Sequence, residues 1–360
     1  MQHQKRWLTL SAVCVAVLAV IGWYAYGQRQ RGLIDGTSTT AALTSQKQFY
    51  QQFTKQYPAL KPALDHDAKP DTYVIPGLGQ TKSLTTGVKG QVGISKTMDP
   101  QGLTVTPKYV VISAYSRDNQ YDSVLYFLSK RSGRFVKQMV LPNASHVGGL
   151  AYDPVSKRLW VTTETAQNTA SLSAYDAKTW QQANFAHGHH ASQFDQVVSL
   201  NRVKRASFLT YHNNALYVGF FDQSTQGSFV ALPLTEQGMP DVANRRRVEL
   251  RGANHPGSYT TSKRLQGVTF YHGEILFSQS FGPNSSSILA FDNDGQRTWL
   301  DFDGDDTLKT VKLPPYLEQI YADGEDLYVL FESGSARYRK AKLGLHADRV
   351  VKLDLGNLMK

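Results

Sequence analysis

The chain has one cysteine, Cys14, in 360 residues. It sits in an uncharged apolar stretch near the amino terminus, and Ser11-Ala12-Val13 ahead of it is not a lipoprotein-type box, so it reads as a small apolar filler. Everything downstream lacks a thiol, which excludes disulfides, Cys-based zinc centres and thiol catalysis there. A domain of this size has core enough to be stable without crosslinks. Acids are also in deficit, 29 against 39 Lys and Arg, for a net charge of +10. That balance favours an anionic envelope polymer or anionic lipid as partner. Nucleic acid is not expected, because no nucleic-acid module appears. Helical periodicity is scarce, and there is no Gly-x-Ser-x-Gly elbow, no His-Glu-x-x-His and no phosphate loop.

What the chain does have is a repeat. Gln101-Gly102 is followed by Leu103-Thr104-Val105 and then by the strand-like runs YVVISAY and DSVLYFL. Gln266-Gly267 is followed by Val268-Thr269-Phe270, EILFSQS and SSILAF. Three more units fit the pattern, starting at Gly148, Ala206 and Glu318, each with a second strand (RLWVTTE, ALYVGFF, DLYVLFE) after a polar turn. Recurrence every ~50–60 residues with several short strands per unit is the mark of propeller blades. Asp153-Pro154, Asn213-Asn214, His272-Gly273 and Asp323-Gly324 supply the turns.

The expected fold is therefore all-β, a β-propeller of five blades with four antiparallel strands each, over residues 87–360. A sixth blade hidden in 179–204 is the alternative. Residues 135–141 are expected to form the fourth strand of the first blade. The last unit runs out of chain after RVVKLDL, so an outer strand must come from the other end, and 88–95 (VKGQVGIS) is the candidate. Trp160, in an apolar second strand, is expected in the core.

Residues 7–26 carry no charge and could cross a ~30 Å hydrocarbon core. Lys5 and Arg6 in front, with Arg29 and Arg31 behind, favour an inner amino terminus and an extracytoplasmic propeller. The segment 1–27 is thus read as a transmembrane helix anchoring a single-pass membrane protein at the cell surface. A signal peptide cleaved on secretion is the alternative. Residues 28–86 read as a stalk with one short helix over 44–57, capped by Thr44 or Ser45 and ended by Pro58.

In a propeller the ligand site is normally the channel mouth, where the inner-strand ends converge. Aligning the units places Gln101, Gly148, Ala206, Gln266 and Glu318 at one equivalent position, with His146 and Arg205 just upstream. The second-strand ends give Tyr115, Glu164, Phe221, Ser280 and Glu332. Glu332 opens the polar stretch Glu332-Ser333-Gly334-Ser335-Ala336-Arg337-Tyr338, where Glu332 and Arg337 are expected to pair with each other or with a neighbouring blade. The candidate ligand-binding set is Gln101, His146, Arg205, Gln266, Glu318, Glu332 and Arg337, set against the plain alternative of polar residues lining a wet channel. Arg245-Arg246-Arg247 with Arg251 reads as a solvated loop or an anion contact, and Asn284 as a turn-former.

No metal site is expected. His187-Gly188-His189-His190 with Asp195 lies in an irregular segment. Asp301, Asp303 and Asp305 alternate as in a calcium loop, but Lys312 stands where its bidentate acid belongs.

The motifs QGLTVT, HVGGLAYD, ASFLTY, SFGPNSSSIL, LPPYLEQI and LFESGSARY, from about residue 100 to 338, resemble those of exported, functionally uncharacterised β-propeller proteins of Gram-positive bacteria. The resemblance implies a secreted or anchored propeller and brings no activity or catalytic residues. A more distant likeness to calcium-dependent lactonase propellers implies a divalent ion such as calcium at the channel, held near Glu318, Gln101 and Gln266. The expected role is a monomeric binding or scaffold module without a cofactor, acting on a cell-envelope polymer or carbohydrate. The alternative is a metal-dependent lactonase-like hydrolase or lyase. Whether the protein is an enzyme stays open at this stage.

Overall fold

The computed structural model describes residues 37–40, 42–64, 69–165, 167–200, 203, 205–224, 228–243, 246–249, 263–293 and 307–360. The expected transmembrane stretch 7–26, the side chains of Arg245, Arg246, Arg247 and Arg251, and Asp301, Asp303 and Asp305 lie outside them. Among the described residues no helix is long and apolar enough to cross a membrane.

Five four-stranded antiparallel sheets form the blades of a propeller. Blade 1 runs through Met98–Val105, Tyr109–Ser116, Val124–Ser129 and Phe135–Val140. Blade 2 comprises Leu150–Asp153, Arg158–Glu164, Ala170–Tyr175 and Gln196–Ser199, and blade 3 Phe208–His212, Ala215–Gly219, Ser228–Pro233 and Arg246–Glu249. Leu265–Tyr271, Glu274–Gln279, Ser286–Asp292 and Thr307–Leu313 make blade 4. Blade 5 has Leu317–Asp323, Asp326–Phe331 and Arg349–Asp354. The first strand of each blade pairs with the second through a tight turn. At Asn213-Asn214 and His272-Gly273 both turn residues have positive φ, the geometry that matches strand twist in a two-residue hairpin.

Each seam between neighbouring blades is a dry apolar layer. Phe127, Leu159 and Val161 meet across blades 1 and 2, Leu172, Leu209 and Val218 across blades 2 and 3, and Phe208, Val268 and Phe277 across blades 3 and 4. Both faces of the middle strands are thus covered, and their sequences are continuous apolar runs rather than alternating ones. Trp160 is fully buried, as expected.

Blade 5 is completed from the other end of the described chain, but by Thr72–Val74 instead of 88–95. Thr72 pairs with Val351 and Val74 with Arg349. Packing decides between the candidates: Tyr73 is buried with its ring 5.8 Å from that of Tyr328, whereas Val88, Val92 and Ile94 are exposed. Residues Val92–Ser95 pair instead with Thr81–Leu84 in a separate hairpin. Pro70 and Pro76, which bracket the closing strand in sequence, made this stretch read as irregular.

The described part of the expected stalk packs on the propeller. The helix Gln46–Gln56 starts at Ser45 in a capping box with Gln48 and ends before Pro58. Its Phe49 and Phe53 are fully buried in the core shared by blades 4 and 5, worth about 2–3 kcal/mol each. A buried ion pair clasps the same segment. Arg349 Nε bonds Asp348 Oδ1 at 2.6 Å, Arg349 Nη2 donates to the Thr44 carbonyl at 2.7 Å, and Asp348 accepts from the Leu43 and Thr44 amides.

No sixth blade forms in the described part of 179–204. That stretch covers the end of a short helix, Ala177–Gln182, and the fourth strand of blade 2. The helix packs Trp180 against Phe127 over the seam of blades 1 and 2, so the irregular composition reflects a cover rather than another sheet.

Candidate functional site

The inner strands do not run regularly into the channel mouth. Their pairing slips register between Pro100 and Leu103 in blade 1, Leu265 and Gly267 in blade 4, and Leu317 and Ile320 in blade 5. Such a slip re-aims side chains out of strict alternation, and Gln101, Gln266 and Glu318 all sit on one. The glycine after each glutamine serves close approach. A Cβ on Gly102 would stand 2.4 Å from Ser113 Oγ and 3.1 Å from the Leu150 nitrogen, and one on Gly267 would stand 2.9 Å from Gln319 Cα. The Gln-Gly repeat is therefore a device for crowding inner strands around the axis.

A cavity of about 340 Å³ opens at this mouth. Gln101, His146, Arg205, Gln266, Glu318 and Glu332 all line it, although they are distant in sequence. Tyr115, Glu164, Ala206 and Phe221 line it too. Arg337 is not among the lining residues. Its guanidinium lies over the Tyr338 ring, 5.1 Å from the centroid, and of the two expected pairings Glu332 takes the one with a neighbouring blade, through Gln101 of blade 1, rather than the one with Arg337. Ser280 is likewise set apart, accepting a hydrogen bond from Ser286 at 2.9 Å.

The floor is a pair of buried carboxyl groups. Glu332 Oε1 accepts from the Tyr338 hydroxyl at 2.7 Å, and Oε2 accepts from the Gln101 amide at 3.2 Å. Glu318 hydrogen-bonds Glu332 and lies in the field of Asp99. Burial, with the neighbouring carboxylates adding to it, holds Glu318 well above the ordinary carboxyl range. Burial also pushes Glu332 up to about 7, against the opposing pull of its Tyr338 and Gln101 hydrogen bonds and of Arg117. Two like charges this close in a dry site cannot both persist, so the pair keeps a proton at neutral pH. Asp99 is 1% exposed and is raised by burial despite its 3.3 Å ion pair with Arg117.

The wall also carries the imidazole of His146. The His146 ring opens onto the cavity and packs 4.2 Å from the Tyr115 ring. Desolvation by the surrounding protein, followed by the charges of Arg205 and Arg117, lowers its pKa. Phe221 stacks beside Phe281 at 6.3 Å, giving the rim an aromatic edge.

One residue along the strand from Glu318, Gln319 crosses the axis. Its Oε1 accepts from the backbone nitrogens of Leu103 and Leu150, both at 3.0 Å. Its Nε2 donates to the carbonyls of Leu150 at 2.8 Å and Leu209 at 2.6 Å. A single amide thus ties blade 5 to blades 1, 2 and 3, using its hydrogen-bonding capacity fully.

Sequence reasoning missed Gln319, Asp99, Arg117 and Asn168. Arg117 follows Tyr115 by two residues, and a polar pair just beyond a second-strand end is a readable cue. Asp99 and Gln319 need the register slips, which leave no mark in a single sequence. Tyr338 lay inside the polar break that was noticed, without its bond to Glu332 being visible.

The histidine cluster of 187–190 does not gather Asp195 into a metal site. Asp195 accepts from the Asp176 amide and the Thr179 hydroxyl instead of joining the histidines of 187–190. Among the described residues no three His, Asp or Glu side chains are grouped to hold a metal ion. Asn284 lies in the turn between the second and third strands of blade 4.

No protein-family profile and no curated protein matches the sequence significantly. Among solved structures, a protein described as an oxidoreductase (glucose dehydrogenase) from Thermus thermophilus aligns at 14% identity and TM-score 0.41, over 78% of this chain and 92% of its own. A GH43_1 enzyme from Xanthomonas citri aligns at 13% identity and TM-score 0.43, over 71% and 86%. A protein described as a 6-phosphogluconolactonase from Bacteroides uniformis aligns at 11% identity and TM-score 0.35, over 63% and 62%. Similarity at this level carries neither an activity nor a ligand to this chain.

Proposed function

We propose that the protein is a binding module, held at the outer face of a membrane by residues 7–26, whose channel-mouth cavity takes a neutral, hydroxyl-rich unit such as a sugar of a cell-envelope polymer. The observation that carries this reading is the chemistry of the cavity. Gln266 and Asn168 offer amides, Gln101 an amide oxygen, the Glu318–Glu332 pair only the acceptor capacity left by its internal bonds, and Phe221 an apolar face. Arg205 and Glu164 put one charge of each sign on the cavity lining, which fits a neutral ligand better than an ion. A volume near the lower end of ligand pockets suits one or two small rings.

The alternative, a hydrolase or lyase working through a divalent ion near Glu318, Gln101 and Gln266, fits these residues poorly. Glu318 and Glu332 hydrogen-bond each other, the oxygens of Glu332 are engaged by Tyr338 and Gln101, and Asp99 is engaged by Arg117. Amides in place of acids further weaken a site for a hard cation.

Calorimetric titration of the full-length protein with N-acetylhexosamines, hexoses and their disaccharides tests the proposal. At least one should bind, and Gln266→Ala and Phe221→Ala should each weaken it by more than about tenfold, a loss of about 1.4 kcal/mol. Binding that survives both substitutions would move the ligand elsewhere.

A further inference from the structure

A second cavity, of about 680 Å³, lies on the opposite face. Gln101 stands near the mouth end of the strand Met98–Val105, whereas Lys108 lies in the turn beyond its other end. Around this groove gather Lys69, Lys108, Lys130, Arg131 and Lys352, with Asp326 as the lining carboxylate. It sits over the seam between blade 1 and blade 5, beside the closing strand Thr72–Val74.

Three of the cations are fixed by carboxylates: Lys352 by Asp326 at 3.0 Å, Lys130 by Asp323 at 2.5 Å and Lys69 by Asp71 at 2.8 Å. Lys352 is held with its side chain only 6% exposed, so one positive charge is built into the wall instead of swinging in solvent. Lys108 and Arg131 are exposed and have no ion-pair partner among the described residues. Behind the groove wall two buried tyrosines pack together. Tyr73 and Tyr328 pack at 5.8 Å, and the Tyr73 hydroxyl donates to the Lys130 carbonyl at 2.8 Å, which sets the turn that carries Lys130 and Arg131.

We propose that this groove is a second ligand site, for a phosphate-bearing chain such as a phosphate-linked polyol or sugar polymer. Two uncommitted cations beside three anchored ones suit several anionic groups in succession. The guanidinium of Arg131 can grip one phosphate through two parallel hydrogen bonds while Lys108 supplies a second point charge. Tyr109 and Val136, which also line the groove and are at least partly exposed, give the intervening carbon skeleton a surface to lie on. This site stands independently of what the channel mouth binds, and the two faces would hold two different parts of an envelope.

The probe is inorganic tripolyphosphate, titrated calorimetrically into the full-length protein at low and at physiological salt. The wild type should bind it, more weakly as salt screens the charges. Lys108→Glu with Arg131→Glu should reduce affinity at least tenfold. Lys340→Glu with Lys342→Glu, an equal charge change at two exposed residues beyond Phe331, the end of the strand Asp326–Phe331 away from the groove residue Asp326, should change it by less than about twofold. Equal losses in the two double variants, or no loss in the first, would overturn the site in favour of diffuse positive charge. A glutamate trimer binding as tightly as tripolyphosphate would overturn the assignment to phosphate. Melting temperatures accompany each titration, and Lys108→Gln with Arg131→Gln replaces the first variant should it fold poorly.

Discussion

Tyr338 donates its phenolic hydrogen to Glu332 across 2.7 Å, so the residue that ends the polar break in blade 5 holds the acid that begins it. This bond, with that from Gln101, favours the charged form of Glu332, and burial overrides both. The site is consequently tuned to change its proton content near neutrality.

The stability of the fold should follow that proton. An acid whose folded pKa is raised above its unfolded value contributes fully below the unfolded value and loses that contribution as pH rises through the folded one. For Glu332 the window runs from 4.5 to about 7. Glu332→Gln removes the titration. Wild type and variant should melt at similar temperatures near pH 5, and the variant should be the more stable by several degrees near pH 8. A difference that stays constant over this range would contradict a shared proton.

Gln319→Leu should be among the most damaging single changes. It strands the Leu103 and Leu150 nitrogens and the Leu150 and Leu209 carbonyls at a fully buried position. The expected loss is about 3 kcal/mol or more, measured by urea denaturation. A loss under about 1 kcal/mol would mean that the inner strands hold together without the cross-axis bonds.

Trp160 separates packing from polarity. It is fully buried, and its indole nitrogen has no hydrogen-bond partner. Trp160→Ala should cost about 3–5 kcal/mol through the cavity it leaves. Trp160→Phe should cost less than about 1.5 kcal/mol, because it removes an unpaired buried donor along with the lost volume. Equal losses would show that a phenyl ring recovers none of the packing and would contradict this account.

Truncation tests the closure of blade 5. A chain starting at Thr37 retains Thr72–Val74 and the helix bearing Phe49 and Phe53. One starting at Gly77 loses both and uncovers the third strand of the last blade. Size-exclusion chromatography and circular dichroism should find the first folded and the second aggregated. A monomeric, folded product starting at Gly77 would contradict the closure described.

The blade repeat was legible because each second strand is an apolar run of its own, separated from the next by turn residues that need no partner to be recognised. Gln101, Gln266 and Glu318 could be placed on one circle for the same reason. The closing strand was not legible. Thr72-Tyr73-Val74 is three residues between prolines, and only Tyr328 across the seam gives it meaning. Of the two pairings that sequence left open for Glu332, with Arg337 or with a neighbouring blade, the second holds through Gln101, and Arg337 lies over the Tyr338 ring instead. Glu318 could be read as a ring residue, but its protonation depends on Glu332 and Asp99, which sequence does not bring near it.

Pairing Thr72–Val74 with Arg349–Asp354 joins a strand made before every blade to one made after all the others. On a nascent chain the earlier strand must wait until the other four blades have emerged, so the circle cannot lock progressively. A ribosome that stops short of Arg349 delivers a product with an open rim and an unpaired edge, ready to aggregate or be cleared. Synthesis through this strand is thereby a condition of folding, and the ring acts as its own proofreader.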